Sequence, residues 1–233
     1  TGEVFSGAVA NALPDLSAAT FDIEAKGADI GQSGGNTIEI VASGQVDAEA
    51  DGPIHITSVV GNALSVGLID AGSNTVTLVG NNGVIDTGND AATDIIGTTL
   101  TINDGAAGSA GTITLDTAAA TLDLIGGDVT IHDGDGIDIA AITATSLDLL
   151  TNGGITDSGA VSVTGLAQFN STGSSIVLGD ATTANFGSLD FSGSAVTIFE
   201  ASAMEIAASE ATGALNLTAS GAITQAGVID AIS

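Results

Sequence analysis

The phrase LDLLTNGGITDSG, which starts at Leu147, is written again from Leu215 as LNLTASGAITQAG, with the same residue at six of thirteen positions. Its core is an apolar–any–apolar triplet, and that triplet recurs almost throughout the chain. Examples are Phe21-Asp22-Ile23, Ile38-Glu39-Ile40, Val76-Thr77-Leu78, Leu100-Thr101-Ile102, Val129-Thr130-Ile131, Ile137-Asp138-Ile139 and Val196-Thr197-Ile198. Alternation with period two over so few residues makes a short strand with one buried face, its middle residue turned to solvent. The Gly, Asn, Asp and Ser between triplets are turn formers. No stretch sustains a helical period, so almost no helix is expected. Ala118–Ala120 is where a helix competes best.

The triplets are also ordered at longer range. Leu122, Val129, Ile137 and Leu147 recur in the same order, and at nearly constant spacing, as Leu189, Val196, Met204 and Leu215. The super-repeat is just under about 70 residues and holds three coils of about 22, within the range of solenoids. A triplet strand cannot bury its face alone, but stacked on an equivalent strand in the next coil it joins a parallel ladder and a continuous core. The expected fold is all-β: a right-handed parallel β-helix, or β-solenoid, of about ten coils and ~50 Å length. A β-sandwich or an up-and-down barrel is the alternative, but sandwich strands usually run to about 5–6 residues and do not normally repeat in sequence. The repeat fits poorly over residues 1–35, which contain Pro14 and Lys26. They are set apart as an irregular cap or docking segment, leaving the solenoid to residues 36–233. The last triplet-like step, Ile229-Asp230-Ala231, stops partway round a coil, as in an excerpt of a longer shaft or a subunit that stacks on its next copy.

Composition narrows the partners. One Lys and no Arg stand against 28 acidic residues, for a net charge of −27. Nucleic acid and anionic membrane surfaces both require basic residues, so both are excluded as partners. No apolar run approaches the ~18 residues of a membrane span. With no Cys there is neither a disulfide framework nor a thiolate metal site. With no Trp or Tyr, the core is built from Ala, Val, Ile and Leu.

The stretches LNLTASGAITQAG, ITDSGAVSVTGLAQFNSTGSSIVLGD and GSLDFSGSAVTIFE resemble the repeats of large secreted bacterial adhesins of the filamentous-haemagglutinin type. The resemblance is clearest from Leu122 to Ser233. It implies a β-helical shaft, export to the bacterial cell surface, and a role in adhesion, aggregation or a matrix. The near absence of Lys and Arg departs from the pattern and argues against sulfated-glycan ligands.

Chemistry is sparse. Gly-x-Ser-x-Gly occurs around Ser33, but a nucleophile elbow must lead into a helix and a strand-like segment follows instead. The two histidines, His55 and His132, read as surface or corner residues, and no enzyme is expected. Two acidic groups could ligate a cation. HDGDGID places Asp133, Asp135 and Asp138 close together, in part like a glycine–aspartate calcium repeat. DTGNDAATD offers Asp86, Asp90 and Asp94. Ca²⁺ takes about 6–8 oxygens, so either group needs help from carbonyls or a neighbouring coil. The competing reading is that Asp is simply a good turn residue.

The sequence therefore reads as an extracellular structural shaft or filament whose partner is itself, end to end or within a longer chain. The alternative is a binding module for a cell-surface or glycan ligand, with Ca²⁺ as its one candidate cofactor. A uniform outer face favours the shaft; a face of clustered, non-repeating residues with a pocket favours the binding module.

Overall fold

The computed structural model describes residues 14–32, 37–59, 61–88, 90–104, 111–180 and 182–232. Among these, 23 strands pair in one continuous sheet. Every pairing of these strands is parallel, and there is no helix among the described residues. The chain is a β-solenoid of about ten turns. Ala118–Ala120 lies inside the strand Thr112–Ile125 rather than in a helix.

Triplet parity sets which side chains turn inward. In the strand Asp128–Asp133, Val129 and Ile131 are buried while Thr130 and His132 face out. Three ladders stack such inward residues. One runs Ile113, Val129, Leu147, Ala167, Leu189, Ile206. A second runs Ile137, Ile155, Ile176, Val196, Leu215. The third begins at Ile38 and passes through Ile56, Leu78, Ile102, Leu124, Ile142, Val161 and Ala184 to Glu200 and Ala219. Each buried Ile, Leu or Val contributes roughly 1.5–3 kcal/mol relative to exposure. Phe169 and Phe191 stack in register beside the first ladder, and Phe169 meets Phe186 edge to face, with centroids 5.6 Å apart.

Coil length is not constant. Along the third ladder the longest step runs from Leu78 to Ile102 and the shortest from Ala184 to Glu200. Three coils carry the first ladder from Val129 only as far as Leu189, whereas the super-repeat carries Val129 on to Val196. The super-repeat is therefore three coils and a further face. The repeated phrases consequently lie on different ladders: Leu147 belongs to the first and Leu215 to the second.

The stacked strands also reach into the segment set apart above. Leu16–Ala18 pairs with Ile38–Ala42, and Phe21–Ala25 pairs with Val46–Ala50. The alternation of Phe21-Asp22-Ile23 is enough to join the ladder. Residues 1–13 and 33–35 of that segment, Ser33 among them, lie outside the described residues. No helix among the described residues is long and apolar enough to cross a membrane.

Candidate functional site

Acidic side chains in this fold occupy three environments: inward, at coil corners, and on the outer face. Parity decides which. Asp133 shares the inward parity of Val129 and Ile131 and is 3% exposed. Its Oδ2 accepts from the Thr117 hydroxyl (2.8 Å) and the Ala119 amide (3.0 Å), and its Oδ1 accepts from the Asp135 amide (2.9 Å). Burial pushes its pKa up against the pull of those bonds. Asp135 is exposed in the turn. Asp138, between Ile137 and Ile139, has the outward parity and accepts from Thr156 Oγ1 and Ser158 Oγ. The three residues of HDGDGID are therefore not brought together: one carboxylate is consumed in the interior and another faces the opposite side of the sheet.

The second acidic group is partly assembled, with one substitution. Oxygens of Asp86, Asp94 and Asp116 lie within 4.8 Å of one another. Asp90 is exposed and instead accepts from the Ala92 amide. Asp116 enters because it stacks beside Asp94: the Asp94 amide donates to the Asp116 carbonyl (2.7 Å), and the Asp116 amide donates to Asp94 Oδ2 (2.8 Å). Asp86 is held by the Gly88 and Asp90 amides. Burial pushes the Asp94 carboxyl up to about 7; the Asp116 amide pulls it down, and the negative neighbours Asp86 and Asp116 raise it further. Three such carboxyls can share a proton or give part of the oxygen shell of a hard cation.

Three further inward acids were not singled out from the sequence: Asp104, which accepts from the Gly111 amide (2.8 Å), and Asp157 and Glu200. Asp157 accepts from the Gly179 amide (2.8 Å) and Thr182 Oγ1 (3.2 Å) of the next coil. Glu200 interrupts the aliphatic third ladder; its Oε1 accepts from the Phe186 amide and Ser202 Oγ, and its Oε2 is buried without a partner. Burial raises the pKa of Asp157 and Glu200. The missed signal is parity: ITD and VTIFE place an acid where the alternation demands an apolar residue.

His55 was expected at the surface, yet it is 6% exposed, and burial lowers its pKa. His132 is half-exposed, with Nδ1 3.5 Å from Asp116 Oδ1.

His132 also lines two hollows on the outer surface. Outward residues of the first face stack as Asp116, His132, Leu150, Asn170, Ser192, Glu210, Asp230, one per coil. A parallel column on the same face runs Thr114, Thr130, Asp148, Gln168, Asp190. Three hollows of about 270, 380 and 290 Å³ lie along these columns. The first two share His132 and Leu150, and the last two share Asp190 and Ser192, so they join into one lateral groove. Elsewhere some outward residues stack like on like, as Asp22 on Asp47, Glu24 on Glu49 and Thr77 on Thr101, and others do not, as Glu39 on Thr57 and Asp138 on Thr156. Apart from Thr114 on Thr130, the groove columns stack unlike residues.

Residues 126–190 and 193–231 match a family described as repeats of unknown function (DUF5649). The matches begin at Gly126 and Gly193, which stand to each other as Val129 stands to Val196, so the family unit has the spacing of the super-repeat. No curated protein and no solved structure matches the chain.

Proposed function

We propose that this solenoid is an extracellular structural shaft, part of a bacterial surface adhesin, aggregation factor or matrix fibre of the filamentous-haemagglutinin type. The observation that carries this reading is the unbroken parallel ladder through every coil, from Leu16 to Ala231. Each coil rests on its neighbours, which makes a rod rather than a globule. The last coil keeps the same inward pattern, with Leu215, Leu217 and Ile229 half-buried and Ile223 exposed. The net charge of −27 keeps such rods apart laterally unless cations bridge them.

Negative-stain electron microscopy with millimolar Ca²⁺ and with chelator tests the reading. Straight rods of constant width are expected, short or joined into fibres, and fibres lost on chelation place Ca²⁺ at the joints. Compact round particles under both conditions would refute a shaft.

A second reading has its own observation. The non-repeating, grooved face is what a binding module would carry, and a shaft can carry one along its side.

A further inference from the structure

We propose that the lateral groove binds a linear polysaccharide carrying free amino groups, laid parallel to the solenoid axis. The inference rests on the binding-face reading and does not depend on end-to-end assembly.

Shape comes first. The groove passes seven coils from Asp116 to Asp230, or about 29 Å at ~4.8 Å per coil. It is long and open along its length, so its natural occupant is an extended chain that gains affinity by repetition, not a small molecule enclosed on all sides.

The lining selects the chemistry. Asp116, Asp148, Asp190, Glu210 and Asp230 present carboxylates, which only accept hydrogen bonds when ionised. Gln168 and Asn170 add planar amides that both donate and accept. No Lys or Arg lines the groove, and His132 is its one basic side chain. An occupant must therefore be rich in donors and cannot be anionic. Hydroxyls and ammonium groups both satisfy these conditions. Ammonium groups are favoured because each hydrogen bond to a carboxylate is then also an ion pair. The charge of the whole chain adds attraction at long range.

The rise per coil separates a glycan from a peptide. An extended peptide advances ~3.3 Å per residue and repeats a face every ~6.7 Å, so it falls out of step with ~4.8 Å coils almost at once. A pyranose unit in an extended β-linked chain advances by close to one coil. Over the five coils from Asp116 to Ser192, each sugar then meets one outward position from each column. The groove has no exposed aromatic platform: the chain lacks Trp and Tyr, and Phe169 and Phe191 beneath the groove are buried. Binding is consequently polar and falls with added salt.

The test is isothermal titration of the whole chain with β-1,4-linked glucosamine hexamer, beside the fully N-acetylated hexamer and hexalysine, at low and physiological salt. Two double variants are compared: Asp148→Asn with Asp190→Asn inside the groove, and Glu24→Gln with Glu49→Gln on an outward column far from it. The glucosamine hexamer is expected to bind best. The groove pair should weaken it about tenfold or more, and the distant pair, with the same change of charge, by less than about twofold. Gln168→Ala alone, which changes no charge, should weaken it by about threefold. Far-UV circular dichroism checks that each variant keeps its strands. Equal losses from the groove and distant pairs would mean attraction by charge alone and overturn the proposal. Preferred binding of hexalysine or of the acetylated hexamer, sensitive to the groove pair, would overturn the choice of occupant while leaving the binding face intact. No binding of any probe at low salt would sink both.

Discussion

Asp94 gives the sharpest test of how this interior handles charge. Its side chain is 5% exposed, and its carboxyl titrates at about 7 with the oxygens of Asp86 and Asp116 close by. In the unfolded chain the same group titrates near 3.8. Between those values the folded chain holds the proton and the unfolded chain does not. Stability is therefore fullest below about pH 4 and is lost as pH rises through 7. At about 1.4 kcal/mol per pH unit the full cost approaches ~4 kcal/mol, of which about 3 falls between pH 5 and pH 8. Asp94→Asn removes the charge but keeps an acceptor for the Asp116 amide. The variant should match the wild type below pH 4 and exceed it at pH 8 by about 3–4 kcal/mol. Solenoid coils can open separately, so a global melt alone is a blunt readout. Urea unfolding at pH 5 and pH 8 should be joined to hydrogen exchange of the Asp116 amide and its neighbours, where the protection gained at pH 8 should concentrate. Parallel loss of stability in both proteins from pH 5 to pH 8 would refute the reasoning. Millimolar Ca²⁺ separates a shared proton from a shared cation: an ion held by Asp86, Asp94 and Asp116 restores the wild type at pH 8 and leaves the variant unmoved.

Two other perturbations follow from the same interior. Asp133→Ala orphans the Thr117 hydroxyl and the Ala119 amide, so it should cost about 3 kcal/mol in urea unfolding even though it removes a buried acid. Gly179 has φ +76°, and a Cβ there would stand 1.9 Å from the Phe199 carbonyl oxygen; Gly173 has φ +70° and open space around it. Gly179→Ala should therefore cost about 3 kcal/mol or more, against roughly 1–2 kcal/mol for Gly173→Ala, and equal costs would show that the close approach is not rigid.

The strands and their inward faces were legible because alternation is local: Val129-Thr130-Ile131 reads as a strand without knowledge of its neighbours, and it is one. What stacks on what was not legible. Corners absorb insertions that vary coil length, so the long-range echo lands on a different face, and Leu147 never meets the column of Leu215. The acidic groups show the same limit. Asp133, Asp135 and Asp138 are close in sequence but are split by parity, while Asp116 joins Asp86 and Asp94 only because the next coil carries it there. The groove is also a product of stacking. Its residues come a few at a time from separate coils between Asp116 and Asp230, and no shared local motif marks them.

The regular coil rise has a consequence for the ions around this rod. Twenty-seven net negative charges on about ten coils of ~4.8 Å amount to roughly one charge per 2 Å of axis, close to the ~1.7 Å of duplex DNA. A line of charge that dense condenses counterions whatever its side-chain chemistry. The solenoid is in this respect a polyelectrolyte, travelling inside a sleeve of cations that belong to no single residue. Its spacing from neighbouring rods then follows the valence of the surrounding salt, and any polycation that settles on it is driven in part by the entropy of the small ions it sets free.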